Sequence, residues 1–126
     1  MFGFFKKKKK KKYEVEEKHF FVNAEIPIVL SPIDDRADAE YHIENFLSEN
    51  NLGMVDGGGI FMSDNGQPVS CQITVLLNEL NTEHFSQLAE FIRKKVVLPK
   101  GSKLTAERGN YYSDDEFKDF HDIELN

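Results

Sequence analysis

The sequence predicts an α+β fold in which an antiparallel sheet packs against two helices. Residues 69–78 alternate apolar and polar side chains, which is the pattern of a strand with one buried face. Asp64-Asn65-Gly66, just before them, is typical of a hairpin turn, because Asn-Gly readily adopts the positive φ angles of a tight turn. Residues 85–96 carry apolar side chains at helical spacing. With 126 residues, the chain is long enough for one small domain with a modest core.

A strand and a helix are the first two predicted elements. The strand lies within His19–Leu30, which is rich in β-branched and aromatic residues, and Pro27 favours an edge position, a bulge or a break in it. The helix begins at Ser31, a capping residue followed by proline, or equally at Asp34 or Asp35. One face of this helix is apolar, with Ala39, Ile43, Phe46 and Leu47 at helical spacing.

The hairpin joins the next two predicted strands. Met54–Met62 has strand character but is interrupted by Gly57–Gly59, a run that predicts a glycine bulge or a close approach to bare backbone. An anion site is disfavoured at these glycines, because no helix N-terminus follows them and Asp56 would repel phosphate. The returning strand is predicted to bury Val69, Cys71, Ile73, Val75 and Leu77.

A second helix and a short last strand complete the predicted order. The helix is capped by Asn81 or Thr82, and the strand covers Lys103–Ala106. The apolar face of this helix comprises Phe85, Leu88, Ala89, Ile92 and Val96. The resulting order, βαββαβ, predicts a ferredoxin-like fold, with both helices on one face of a four-stranded antiparallel sheet.

Charge divides the chain into three parts. Residues 1–18 are a predicted disordered arm that is basic and aromatic and contains seven consecutive lysines, Lys6–Lys12. Residues 19–108 are the predicted domain, and residues 109–126 are an acidic, aromatic tail. The whole chain has a net charge of −6, but residues 13–126 hold 9 basic and 22 acidic groups, a net charge of −13. Such an acidic body repels nucleic acid and attracts basic proteins.

Several classes of protein are disfavoured by the sequence. No apolar run approaches the roughly 20 residues that cross a bilayer, and acidic residues follow the lysines where a secretory signal would be apolar. The single cysteine, Cys71, allows no intrachain disulfide, which predicts a cytosolic location. No motif gathers catalytic or metal-ligating side chains, so the sequence predicts no enzyme, no metal site and no cofactor. Sequence-specific binding of nucleic acid is not expected either, since residues 69–78 contain no aromatic side chain.

Three stretches of the sequence carry a resemblance: Asn51–Gly59, Asp64–Gly66 and Leu98–Leu104. Together they resemble a group of small, uncharacterised bacterial α+β proteins with a Gly-rich second strand and a Pro-Lys-Gly-Ser turn before the last strand. The resemblance covers roughly residues 25–105 and implies the same ferredoxin-like fold, with no catalytic residue to carry over. In size and acidity, the chain also resembles immunity proteins that neutralise polymorphic toxins.

The first functional hypothesis is a non-enzymatic, cytosolic binding module whose acidic surface engages a basic protein partner. An immunity protein that blocks a nuclease-type toxin is its most concrete form. Acidic side chains would steer the partner, while aromatic side chains would supply most of the affinity. The predicted contact residues lie in the tail and are Tyr111, Tyr112, Asp114, Asp115, Glu116, Phe117 and Asp119.

Two alternative functions remain open. In one, the arm tethers the protein peripherally at the inner face of a membrane, because each lysine near an anionic lipid surface contributes about 1 kcal/mol and aromatic residues enter the interface. The residues concerned are Phe2, Phe4, Phe5, Lys6, Lys7, Lys8, Lys9, Lys10, Lys11 and Lys12. Without that function the arm is a solvated tail, or it folds against the acidic groups of the same chain. In the other alternative, the domain is regulatory and binds a small ligand beside Gly57–Gly59.

Overall fold

Five antiparallel strands and two helices make up the part of the chain that the computed structural model describes, residues 20–30 and 35–126. In chain order they are β1 (Phe20–Ile26), α1 (Asp35–Glu49), β2 (Gly53–Met62), β3 (Pro68–Leu77), α2 (Thr82–Lys95), β4 (Lys103–Glu107) and β5 (Ile123–Glu124). The predicted α+β class and the predicted antiparallel pairing are confirmed. No helix among these residues is long and apolar enough to cross a membrane.

The strands form one sheet in the order β2-β3-β1-β4-β5. β1 lies at its centre and pairs along its length with β3, and from Phe21 to Glu25 with β4. The predicted number of four strands is wrong, because Ile123 and Glu124 add a fifth strand beside Leu104 and Lys103. Two residues are too few to produce a period-2 pattern, so no sequence signal predicts this strand.

The core lies between the sheet and the two helices. Alternate strand residues and the apolar stripes of α1 and α2 belong to one buried cluster, and Phe46 of α1 stacks on Phe91 of α2 with ring centroids 4.4 Å apart. The fully buried large side chains are Phe20, Val22, Ile26, Ile43, Leu47, Cys71, Ile73, Val75, Leu77, Leu88, Ile92 and Leu104. Burial of one large apolar side chain contributes about 1.5–3 kcal/mol, so this layer holds both helices on one face of the sheet.

The structure selects among boundaries that the sequence left open. Asn81 caps α2 as expected, since its side-chain oxygen accepts the N–H groups of Glu83 and His84 at 2.8 and 3.1 Å. β1 ends at Ile26, where Pro27 lacks the N–H that the ladder would need. α1 is described from Asp35, and the alternative starts at Ser31 and Asp34 lie outside the described residues.

Val69 is the predicted core residue of β3 that the structure places at the surface, with 49% of its area exposed. The pairing of β2 with β3 shifts there, since Phe61 lies opposite Ser70 but Met62 lies opposite Pro68. The shift leaves Val69 without a direct partner and turns its side chain out of the alternating pattern.

The predicted bulge lies at the start of the glycine run. Val55 lies opposite Val75 and Gly57 lies opposite Thr74, so Asp56 is the extra residue. Gly57 has a φ of +106°, a conformation that residues with a side chain rarely adopt. At Gly58, a Cβ atom would lie 2.3 Å from the carbonyl oxygen of Gln72, so only glycine fits against the neighbouring strand.

A carboxylate of α1 supports the strand beside this bulge. Glu44 accepts the backbone N–H of Val55 through Oε1 at 2.8 Å, and its Oε2 accepts the hydroxyl of Ser48 at 3.0 Å. An unpaired backbone N–H at a half-buried position is costly, so Glu44 joins α1 to β2 at the point where the strand pairing is irregular.

Replacement of Glu44 should therefore destabilise the fold. We expect Glu44→Ala to lower the free energy of unfolding by about 1–2 kcal/mol, because the N–H of Val55 loses its acceptor. Glu44→Gln keeps an acceptor oxygen and should lose less. Urea unfolding measures both, with Glu49→Ala on the exposed end of the same helix as the control, expected to change stability by less than about 0.5 kcal/mol. Equal losses in the alanine variants of Glu44 and Glu49 would contradict this role.

Candidate functional site

The C-terminal segment, residues 109–126, is anchored to the core by aromatic rings. Phe20 of β1 is contacted edge-on by Phe120, Phe117 and Tyr112, with ring centroids 5.0, 5.8 and 6.4 Å away. Phe120 also contacts Phe85 of α2 at 5.6 Å. Each such pair contributes about 0.5–1.5 kcal/mol beyond the area that it buries. The three rings therefore hold this segment on the sheet and on α2.

The backbone of the segment is fixed by a reciprocal pair of hydrogen bonds. Glu116 accepts the N–H of Ser113 through its carboxylate at 2.9 Å, and the hydroxyl of Ser113 accepts the N–H of Glu116 at 3.2 Å. This is the arrangement of a capping box, which satisfies two N–H groups at once. Phe120 closes the following turn by donating its N–H to the carbonyl oxygen of Phe117 at 3.0 Å. The turn thus has one defined conformation.

The end of the segment is attached to two other elements. Leu125 is buried and donates its N–H to the carbonyl oxygen of Ser102 at 2.8 Å, and Arg93 of α2 donates from Nε to the carbonyl oxygen of Glu124 at 2.7 Å. The side chain of Asn126 donates to the carbonyl oxygen of Leu98. The segment is consequently held at its middle by rings and at its end by hydrogen bonds.

The acidic side chains of the turn point outward. We call Asp114, Asp115, Glu116 and Asp119 the C-terminal acidic surface; all four residues are exposed. The side chains of Asp114 and Asp115 are 97% and 86% exposed, and they form surface ion pairs with Arg108 at 3.4 Å and Lys118 at 3.6 Å. Exposed ion pairs of this kind contribute about 0–1 kcal/mol to stability, so neither pair holds its carboxylate firmly in one position.

The structure separates the predicted contact residues into two groups. The four acidic residues and Tyr111, which is 46% exposed, are accessible from solvent. Tyr112 is 7% exposed and Phe117 is partly buried against the core, so both rings face inward and position the turn. The predicted membrane-contact residues Phe2, Phe4, Phe5 and Lys6–Lys12 lie outside the described residues.

Sequence reasoning overlooked a second acidic surface on α1. Tyr41 is 63% exposed beside Asp38, whose Oδ1 lies 3.5 Å from Nε2 of His42, and Tyr41 contacts the ring of His42 edge-on at 5.6 Å. Asp35 is exposed one turn before them. The signal was present in the sequence, since Tyr41 falls outside the apolar stripe of Ala39, Ile43 and Leu47. An exposed tyrosine among carboxylates suits contact with a basic surface.

The sheet face opposite the helices carries a row of paired polar groups. Thr74 donates to Asn23 at 2.9 Å, Asn23 donates to Glu107 at 2.9 Å, and Gln72 donates to Thr74 at 3.3 Å. Asn23 is only 4% exposed, so these bonds satisfy side chains that would otherwise be costly to bury. The row is explained by the stability of the fold.

The described residues give little support for a metal site, a reactive thiol or a small-ligand site. They contain no group of three or more histidine, cysteine, aspartate or glutamate side chains that could hold a metal ion. Cys71 is 1% exposed, and its thiol donates to the carbonyl oxygen of Ile28 at 3.3 Å. Gly57 and Gly59 face open space, where the hypothesis of a ligand site expects a cleft.

Over the described ranges the net charge is −10, from 8 basic and 18 acidic residues. The exposed acidic surfaces are therefore one chemical feature available to a partner.

The position of Tyr112 predicts a dependence of stability on pH. Burial raises the pKa of its hydroxyl above the usual 10.0, and the carboxylate of Glu116 raises it further. The unfolded state therefore loses this proton first, so the stabilisation is complete below pH 10 and is lost as the pH rises through the folded-state pKa. Tyr112→Phe has no such proton, so its free energy of unfolding should fall less between pH about 8 and about 11 than that of the wild type.

Urea unfolding of both proteins at each pH measures this difference. Phe46→Leu, which changes a ring between the helices without removing a titratable group, is the control, and its free energy of unfolding should fall with pH in parallel with that of the wild type. Parallel pH profiles for wild type and Tyr112→Phe would show that Tyr112 is not buried as described.

The chain was compared with protein families, with characterised proteins and with solved structures, and none of the three comparisons found a match. The resemblances to small bacterial α+β proteins and to immunity proteins thus stay predictions from the sequence.

Proposed function

We propose that the protein is a non-enzymatic, protein-binding module in which a ferredoxin-like unit presents acidic surfaces to a basic partner protein. The observation that carries this proposal is the C-terminal acidic surface: four exposed carboxylates on a turn that aromatic rings hold in place. The order β1-α1-β2-β3-α2-β4 and the strand order β2-β3-β1-β4 support the ferredoxin-like unit, to which β5 adds an edge strand.

Electrostatics favours a basic partner over other ligands. A net charge of −10 on the described residues attracts cationic surfaces and accelerates encounter, whereas nucleic acid and anionic lipid are repelled. Because the turn is pre-organised by the capping box and the rings, little conformational entropy is lost when its carboxylates bind. The turn can therefore contribute to affinity as well as to the rate of association.

Accessible aromatic side chains supply the apolar part of such an interface. Tyr111 lies beside the C-terminal acidic surface, and Tyr41 lies beside Asp38 on α1. Tyrosine is enriched among the residues that dominate binding energy, since it offers a large rigid ring with a polar end. A toxin of the nuclease type is the most concrete partner, because its active site is built to bind phosphate and carboxylates can take the place of phosphate. We place this interaction in the cytosol, given a single, buried cysteine.

Charge reversal at two exposed positions tests the proposal. The wild-type protein is used to capture basic proteins from the source cell, and the affinity of each captured protein is then measured for the variants. Asp115→Lys with Asp119→Lys should weaken binding at least about tenfold, chiefly through slower association, because steering is lost at the contact. The control, Asp64→Lys with Glu79→Lys, changes the net charge equally at exposed positions near the hairpin and before α2, and should have a smaller effect.

The salt dependence gives a second readout. Binding of the wild type should weaken as salt is added, and the doubly reversed C-terminal variant should lose much of this dependence. If no basic protein is captured, or if both double variants bind equally well, the C-terminal acidic surface is not the contact.

A further inference from the structure

The outer edge of β2 is exposed and apolar. β2 pairs with β3 on one side, and no described strand lies on its other side. Ile60, Phe61 and Met62, at the end of the strand, are 43%, 50% and 58% exposed, and Val69 of β3 beside them is 49% exposed. Successive strand residues point to opposite faces of the sheet, so Ile60 and Phe61 lie on different faces, and we call Ile60, Phe61 and Met62 the apolar end of β2.

Natural sheets usually protect an edge of this kind. Short strands, lysine or proline at the edge, or a covering element prevent unwanted pairing. β2 is ten residues long, contains neither lysine nor proline, and carries a single charge at Asp56. The six residues of β2 that follow the bulge, Gly57–Met62, are uncharged. An edge left open in this way is suited to pair with another strand.

The sequence of β2 is complementary in size to itself. Three glycines, Gly57–Gly59, are followed by three large apolar residues. In an antiparallel pair of two such strands centred on Gly59, Phe61 of one copy lies opposite Gly57 of the other, and Ile60 lies opposite Gly58. The space beside Gly57 and Gly59 is open, so a large side chain from a second copy can cover the bare backbone.

Charge favours this register and this surface. A pair centred one residue later would set Asp56 of one copy opposite Asp64 of the other, whereas centring on Gly59 avoids two facing carboxylates. The described body has a net charge of −10, so two copies repel each other over most of their surfaces. The uncharged end of β2 is the place where a second copy meets the least repulsion.

The contact covers the backbone edge of β2 and the flanks of its apolar side chains. Val69 belongs to β3, on the inner side of β2, so edge pairing does not cover it. Pairing extends the sheet without covering its faces, so the backbone hydrogen bonds along the edge supply much of the stability of this contact.

We propose that β2 pairs antiparallel with β2 of a second copy of this chain, so that two sheets of five strands join across a two-fold axis at Gly59. The interface is isologous, because the glycines of each copy contact the apolar residues of the other. This assembly leaves the C-terminal acidic surface free for a different partner, since the acidic turn is anchored on Phe20 at the start of β1, whereas Ile60 of β2 lies opposite Cys71, which lies opposite Ile26 at the end of β1.

The mass of the full chain, measured by sedimentation across a concentration series, tests the proposal. A dimer should form as concentration rises, and added salt should favour it, since salt screens the repulsion between the acidic bodies. Phe61→Lys should raise the dissociation constant at least about tenfold by placing a charge at the edge. Val97→Lys, equally non-conservative and 97% exposed after α2, should leave it unchanged. A monomer at every concentration and salt, or equal dimerisation by both variants, would overturn the proposal.

A cysteine variant tests the register. Gly59→Cys places a thiol on the two-fold axis at a position where a side chain meets no neighbour, so mild oxidation should give a covalent dimer. Ser86→Cys, exposed on α2, is the control and should stay monomeric. Equal cross-linking of both variants would contradict pairing at β2. Added salt should strengthen this dimer but weaken the binding of a basic partner. The two proposals therefore predict opposite salt effects, and each can fail without the other.

Discussion

Phe20 joins the centre of the sheet to the C-terminal segment. It is 1% exposed on β1, the strand that pairs with both β3 and β4, and it contacts the rings of Tyr112, Phe117 and Phe120. The same contacts that complete the core therefore fix the turn that carries the acidic side chains. The stability of the fold and the geometry of the candidate site therefore depend on the same aromatic cluster. Loss of these ring contacts would destabilise the fold and detach the acidic turn from the core.

The edge strand β2 is built differently from the central strand β1. β2 breaks the usual preferences of a strand, with three consecutive glycines, a bulge at Asp56 and exposed apolar residues at its end. Glu44 compensates locally by accepting the N–H of Val55. Departures from local rules that are compensated in this way tend to occur where a protein has a function to serve. The two proposed contacts thus use separate surfaces: β2 for a second copy, and the acidic turn anchored on Phe20 for a basic partner.

Much of the fold could be predicted because its signals are local. The alternation of β3, the cap at Asn81 and the bulge among the glycines each depend on neighbouring residues. The fifth strand and the burial of Tyr112 could not be predicted, because both depend on contacts between distant parts of the chain. Tyr112 packs on Phe20, about ninety positions away, and β5 pairs with β4, about twenty positions away. Val69 was misplaced for a similar reason, since its exposure depends on how β2 is registered against β3.

For the candidate site, the sequence located the acidic residues but could not orient the aromatic ones. Composition marks residues 109–126 as acidic and aromatic, whereas the inward direction of Tyr112 and Phe117 follows from packing. Amide hydrogen exchange measured by NMR tests the central claim, a C-terminal segment fixed to the core, most directly. The amides of Phe120 and Leu125 should be protected to a similar degree as that of Val22 in β1, since they donate to Phe117 and Ser102 within the folded unit. Exchange at the rate of an unstructured chain, with Val22 still protected, would contradict it.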